Sequence, residues 1–203
     1  MSGTETTPKA EKPRSFILEL PGLLLGALII AVLLKTFVVQ PFYIPSESML
    51  ETLQVNDRVM VSKLTYRFGE IERGDVIVFE TGPEVEMSVA ENVVKAVLDA
   101  LGIRSSGQED LIKRVIALGG DRVEIRDNEV IVNDSPIYEP YISDAGMADM
   151  AVQTIPAGMI WVMGDHRCGG CSQDSRFIGP IPVEDVIGKA VVRIWPYDRV
   201  GGL

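Results

Sequence analysis

Histidine is almost missing from this chain, with His166 the single one in 203 residues. Any Ser–His–Asp scheme for proteolysis therefore stands or falls on that one imidazole. Cysteine is nearly as scarce, with only Cys168 and Cys171. Two cysteines and one histidine fall short of the roughly four protein ligands of a structural zinc site unless a carboxylate joins them. The two cysteines also lack the βαβ context in which a thioredoxin-like pair opens a helix. A small-loop bridge is the first reading of the pair, and two free thiols are the alternative. Positive charge is in deficit, with 19 Lys and Arg against 29 Asp and Glu. Nucleic acid is excluded as a partner, because neutralising phosphates takes a basic stripe and none is present. Four of the basic and three of the acidic residues precede position 40, so the remainder of the chain is strongly acidic while its start is mildly basic. Repeats and low-complexity segments are absent beyond that start.

Residues 1–15 are rich in Thr, Pro, Lys and Glu, with almost nothing to bury, and read as a disordered tail. From Phe16 to Val39 only Glu19, Lys35 and Thr36 interrupt the apolar character, and no charge lies between Leu20 and Leu34. A helix over 16–39 is long enough to cross about 30 Å of hydrocarbon with some tilt. A buried core helix would show a polar face, and Gly22 to Leu34 shows none. A cleavable secretion signal would end in a small-x-small site, whereas Leu33-Leu-Lys-Thr-Phe-Val-Val-Gln40 is bulky, so the segment is expected to stay attached. Lys9, Lys12 and Arg14 place the tail in the cytoplasm and residues 40–203 outside it, with Lys35 mildly opposed.

Past residue 40 the chain carries short apolar or alternating runs at Arg58–Lys63, Asp75–Phe79, Arg114–Leu118, Arg122–Ile125, Val130–Val132, Met159–Met163 and Val186–Trp195. Punctuated by Gly, Asn-Asp and Pro turns, they predict a mainly β, antiparallel, coiled-sheet or barrel-like domain. One amphipathic helix is expected over Met87–Leu101, with Val93, Val94, Val97 and Leu98 on its apolar side, followed by a loop through Asp110.

Three stretches carry candidate chemistry. Pro45-Ser-Glu-Ser-Met49 presents Ser46 and Ser48 in a turn that Pro45 leads out of an extended segment. A serine hydroxyl needs a neighbouring base to become a nucleophile. Lys113, in Leu111-Ile-Lys-Arg-Val-Ile116, is set among apolar residues, and strand alternation can turn it inward while Ile112 and Arg114 point the other way. Burial disfavours the ammonium, which for an ordinary lysine outweighs the free amine by about a thousand to one near pH 7.4. Lys63, Lys95 and Lys189 are expected to be solvated. The third stretch, Gly164-Asp-His-Arg167 followed by Ser172-Gln-Asp-Ser-Arg176, gathers polar groups beside a glycine.

In this order the three resemble the motif set of bacterial type I signal peptidases, and the resemblance runs from the apolar segment to Arg193. It implies that Ser48 is the nucleophile and Lys113 the general base. Ser46 and the Ser48 backbone N–H would form the oxyanion hole, and Ser172 would orient the lysine amine. Asp165, Arg167, Asp174 and Arg176 would brace the site through ion pairs, with His166 in a structural, hydrogen-bonding role. Phe42, Ile44, Pro45, Met49, Leu53 and Ile112 would line shallow pockets for small side chains at the first and third positions before the cut, although core residues would look identical in sequence. The substrates implied are signal-peptide-bearing preproteins arriving through a lipid bilayer, cut by a monomer without cofactor or metal.

The chain departs from the family pattern at Glu47, where glycine is common, and at Glu51, where proline is common. A further departure is Arg167-Cys-Gly-Gly-Cys-Ser172, two residues longer than usual between Arg and Ser. A rival from another class is a catalytically silent anchored module that binds exported peptides, which loss of either Ser48 or Lys113 would mark. A self-cleaving repressor would carry a DNA-binding N-terminus, and a cysteine transpeptidase would hold its Cys and His on separate elements. Neither pattern is present.

Overall fold

The computed structural model describes residues 16–81, 109–142 and 146–203. The expected tail over 1–15 and the expected amphipathic helix over 87–101 lie outside the described residues. The chain opens with helix α1, Phe16–Phe37, 22 residues and therefore about 33 Å of rise. Seven large apolar side chains between Leu20 and Ile30 are 41–62% exposed. Among the described residues no helix is long and apolar enough to cross a membrane, the side chains of α1 being described only over 20–31. The helix stops two residues short of the expected boundary, because Val39 already enters a strand.

That strand, β1 (Val39–Tyr43), pairs with β2 (Arg58–Ser62) from Val39 opposite Ser62 to Tyr43 opposite Arg58. Next come β3 (Val76–Thr81), β4 (Glu109–Leu118), β5 (Arg122–Arg126), β6 (Glu129–Val132), β7 (Ser135–Pro136), β8 (Met150–Thr154), β9 (Met159–Met163), β10 (Ile181–Pro182), β11 (Val186–Trp195) and β12 (Gly201–Gly202). Two sheets result. The larger has the order β1-β2-β11-β3-β4-β9-β10, with β12 added to β11, and the smaller runs β7-β6-β5-β8. Every pairing is antiparallel, as the short runs and turn residues predict. The sequence pattern does not announce β7, β8, β10 or β12, and of β1 it shows only the extended segment leading into the Ser48 turn. Pro41 sits within β1, which is tolerated because β1 forms the edge of its sheet. Two single helical turns, Thr65–Phe68 and Ser175–Ile178, are too short to show a period.

β4 lies between β3 and β9, with Ile77 opposite Lys113 and Met163 opposite Arg114. Lys113 is 2% exposed, and Ile112 and Arg114, which alternation places on the other face, are each 8% exposed, so β4 is covered on both faces here. Lys189, expected to be solvated, instead sets its Nζ 2.5 Å from Asp75 Oδ1. Phe42, Ile44, Met49, Leu53 and Ile112 fall in one core cluster with Val59, Val61, Val76, Val78 and Ala190. This core lies directly beneath the Ser48 turn.

Candidate active site

The turn after β1 is pinned at both ends. Ile44 N–H donates to Asp57 O and Asn56 N–H to Ile44 O, each at 2.9 Å, closing the neck of the excursion 45–55. Within it Leu50 N–H donates to Glu47 O at 3.0 Å and Leu53 N–H to Met49 O at 2.7 Å. Met49 and Leu53 are wholly buried, so the turn is nailed to the core while Ser48, 6% exposed, keeps its hydroxyl at the edge of it. Glu51 completes the turn at φ 77°, a left-handed conformation outside the range of a proline ring.

Lys113 reaches this hydroxyl from β4. Its Nζ stands 2.8 Å from Ser48 Oγ and donates to Ile112 O at 2.8 Å. Burial lowers its pKa from 10.5 to about 8, although Asp174 and Asp165 pull the other way; Arg176 adds to the lowering. About one molecule in five then carries the free amine at pH 7.4, against about one in a thousand for an exposed lysine. The pair can move a proton from hydroxyl to amine.

Ser46 is exposed, with its Oγ 3.4 Å from Ser48 Oγ, on the open side of the turn. Ser172 is 2% exposed and its Oγ makes no well-formed hydrogen bond, so Ser48 Oγ and Ile112 O rather than Ser172 hold the lysine amine here. The Ser172 hydroxyl lies close enough to Asp174 to help keep that carboxyl ionised, without the alignment of a hydrogen bond. His166 is engaged with the backbone of the serine turn: its backbone N–H donates to Ser48 O at 3.1 Å, and its ring Nδ1 lies 3.1 Å from Glu47 O. Of the expected pocket residues, Pro45 is exposed, while the other five are 0–8% exposed in the core.

The bracing residues divide into two sets, and each contains a partner that sequence reasoning missed. Asp165 pairs with Arg114, at 2.9 Å from Nε and 2.6 Å from Nη2, and accepts from Thr52 Oγ1 at 2.5 Å. Arg114 also donates to Gly74 O at 2.8 Å and lies over the Tyr141 ring at 3.8 Å. Burial works against its charge, but the Asp165 carboxylate outweighs burial and raises its pKa. In the second set Asp174 receives Arg176 at 2.9 and 2.8 Å and Gly164 N–H at 2.9 Å. Burial alone would raise the Asp174 carboxyl, yet these donors hold it below the usual range. Arg167, 0% exposed, is held by Glu139 from the loop after β7, donates Nε to Gly164 O at 2.7 Å, and accepts from Arg176 at its carbonyl at 3.0 Å. The i+2 spacing of Asp174 and Arg176 across a helical start is visible in sequence. Glu139, 28 residues from Arg167, carries no such signal.

Removing Glu139 would leave a buried guanidinium with Gly164 O as its main partner. Glu139→Ala is therefore expected to destabilise the chain by about 3–5 kcal/mol, or about 10 °C in Tm, read by thermal unfolding, with Glu139→Gln recovering part of the loss. A change under about 1 kcal/mol would show that Arg167 does not need the carboxylate.

Gly164 joins these sets to the nucleophile. A Cβ there would strike Ser172 Oγ and the Ser48 carbonyl and lie 2.7 Å from Ser172 Cβ. Only glycine allows the chain leaving β9 to pass this close to the two serines. The loop beyond it joins Cys168 to Cys171 in a disulfide, their Cα atoms 5.4 Å apart.

The family profile described as "Signal peptidase, peptidase S26" matches residues 17–195. A signal peptidase I of Mycobacterium tuberculosis is 37% identical over 98% of this chain and 81% of its own length. A signal peptidase I of Leptolyngbya laminosa is 37% identical over 97% of this chain and 87% of its own length. The thylakoidal processing peptidase 1 of Arabidopsis thaliana is 33% identical over 86% of this chain and 47% of its own length. Among solved structures, a signal peptidase I of Enterococcus faecalis aligns with a TM-score of 0.41 at 24% identity, over 59% of this chain and 96% of the other.

Proposed function

The chain belongs to the signal peptidase family, peptidase S26, and from that membership we propose that it removes signal peptides from exported preproteins by a serine–lysine mechanism at a membrane surface. The observation that carries the reading is the 2.8 Å approach of a buried lysine amine to a single serine hydroxyl. In its free-amine form Lys113 accepts the Ser48 proton as Oγ attacks the scissile carbonyl. The Ser48 backbone N–H and the Ser46 hydroxyl donate to the developing oxyanion. As the C–N bond breaks, the Lys113 ammonium returns its proton to the leaving amine, and the acyl group stays on Ser48 Oγ. Lys113 then deprotonates a water that attacks the ester and frees the serine. Asp165, Arg167, Asp174 and Arg176 touch no reacting atom and act by holding β4 and the segment around Glu139 to the loop that follows β9.

The first and third side chains before the cut would rest on Ile44, Pro45, Met49, Leu53, Phe42 and Ile112. With five of the six already packed in the core, only shallow recesses remain, and these suit small residues. α1 is the membrane anchor in this reading. Its seven exposed Leu and Ile side chains would be unfavourable in water and are at home in lipid. The tail would then lie in the cytoplasm and the β domain outside. Tethering confines enzyme and arriving preprotein to one surface and raises their effective concentration.

Purified enzyme in detergent micelles is expected to cut a preprotein bearing a small-x-small sequence once, after the second small residue, as read by intact-mass measurement. Its kcat/KM should rise about tenfold per pH unit and level off near pH 8, where Lys113 loses its proton. Uncut preprotein would mark a peptide-binding module. A profile levelling near pH 6–7, where an ordinary histidine titrates, would move the base to His166.

A further inference from the structure

Between Arg167 and Ser172, 0% and 2% exposed, the chain makes a four-residue excursion to the surface. Gly169 and Gly170 are exposed, Gly170 turning the chain at φ 95°, and Cys168 and Cys171 are half-buried. Their disulfide closes a sequence separation of three residues, and Cys171 N–H donates to Cys168 O at 3.2 Å. The excursion is fastened on each side to the candidate site. His166 N–H holds the Ser48 carbonyl, Arg167 Nε holds Gly164 O, and the Ser172 side chain fills the space that a Gly164 side chain would occupy.

Two physical features separate this disulfide from a purely structural one. Bridging so short an interval removes little entropy from the unfolded chain, about 2 kcal/mol against almost 5 for a loop of about 100 residues. The bridge also joins two half-buried residues flanking two exposed glycines, and a His166 ring nitrogen lies within 4.8 Å of both sulfurs. Accessible disulfides are the ones that exchange.

Resting on the serine–lysine reading above, we propose that Cys168–Cys171 is a thiol–disulfide exchange site for a dithiol reductant, and that its state sets the seating of Ser172 against Gly164 and Ser48. A thiolate of the reductant attacks one sulfur, the Cys168–Cys171 bond breaks, and a mixed disulfide forms. The second thiol of the reductant resolves it. Two electrons and two protons pass to the cysteine pair, and the reductant leaves as a disulfide. The opened excursion gains slack directly before Ser172, while Arg167 stays clamped by Glu139. Catalysis then slows through misplacement of the serines, with substrate contacts untouched.

The full chain in detergent micelles, equilibrated over a series of reduced-to-oxidised dithiothreitol ratios and trapped with a maleimide, tests this. The two cysteines should go from no tags to two in one step, reversibly. Preprotein cleavage should fall about tenfold in kcat in step with the two-tag fraction, with KM moving less than about twofold, because placement of reacting groups is what changes. The double variant Cys168→Ser/Cys171→Ser should take no tags and cut at the rate of the reduced wild type, whatever the dithiothreitol ratio. Two tags with unchanged kcat, equal inhibition of the double variant by dithiothreitol, or no tags at any ratio would each overturn the proposal. Tag uptake is read without substrate, so an oxidised wild type that cuts nothing counts against the peptidase reading while the tag count still decides the exchange site.

Discussion

Lys113→Met is expected to lower kcat for preprotein cleavage by about three orders of magnitude or more, because no other described side chain stands where the Ser48 proton can go. Ser48→Ala should lose as much, and the double variant no more than either, since two groups that act as one unit do not contribute additively. Loss of activity alone could reflect unfolding, and stability separates the two. Lowering the Lys113 pKa from 10.5 to about 8 means that the folded chain holds the ammonium at a cost of about 3 kcal/mol at neutral pH. Methionine removes that cost and forfeits two hydrogen bonds of about 1 kcal/mol each, so the variant should be about as stable as the wild type or up to a few degrees more so at pH 7. The sign then changes with pH. Between about 8 and 10.5 the unfolded wild type binds more protons than the folded one, so its stability rises with pH relative to Lys113→Met, and the methionine variant loses its advantage. Calorimetry at pH 7 and pH 10 reads the crossing. A Lys113→Met protein that retains more than about a tenth of wild-type kcat would remove the lysine from the chemistry.

Gly164→Ala should be the most damaging change that adds a single methyl group. The new Cβ would collide with Ser172 Oγ and the Ser48 carbonyl, both belonging to buried residues. Overpacking of this kind costs about 1–3 kcal/mol. The larger effect falls on rate: the nearest relief is to push the Ser48 turn outward, and a displacement of about 1 Å between Oγ and Nζ costs about a hundredfold. Kinetics on a preprotein should show that loss in kcat with Tm lower by only a few degrees. Activity within about threefold of wild type would mean that the serines can yield without changing their distance from the amine.

The antiparallel β character was legible because short apolar runs, separated by Gly, Pro and Asn-Asp turns, leave few other arrangements. β1 was legible only as an extended lead into the Ser48 turn, since Pro41 interrupts its pattern, and β8, Met150–Thr154, was not, being mostly exposed with no buried face to produce a pattern. Lys113 could be singled out because a charged residue in the middle of an apolar strand needs a reason. That Ile112 and Arg114 are buried beside it was not readable, as alternation does not tell an interior strand from one with a wet face. The partners Arg114–Asp165 and Arg167–Glu139 are separated by 51 and 28 residues and depend on how the sheets meet. Gly164 was visible as a motif residue, but the reason for it, the closeness of two serines from distant parts of the chain, exists only in three dimensions.

The serine–lysine mechanism requires a Lys113 amine that is substantially unprotonated at physiological pH while it touches Ser48. Carbon-13 labelling of the lysine side chains, with the Lys113 signal assigned by its absence in Lys113→Met, allows that amine to be titrated directly by NMR in the intact protein. A midpoint near pH 8 is expected. A midpoint above about 10, where exposed lysines titrate, would contradict it.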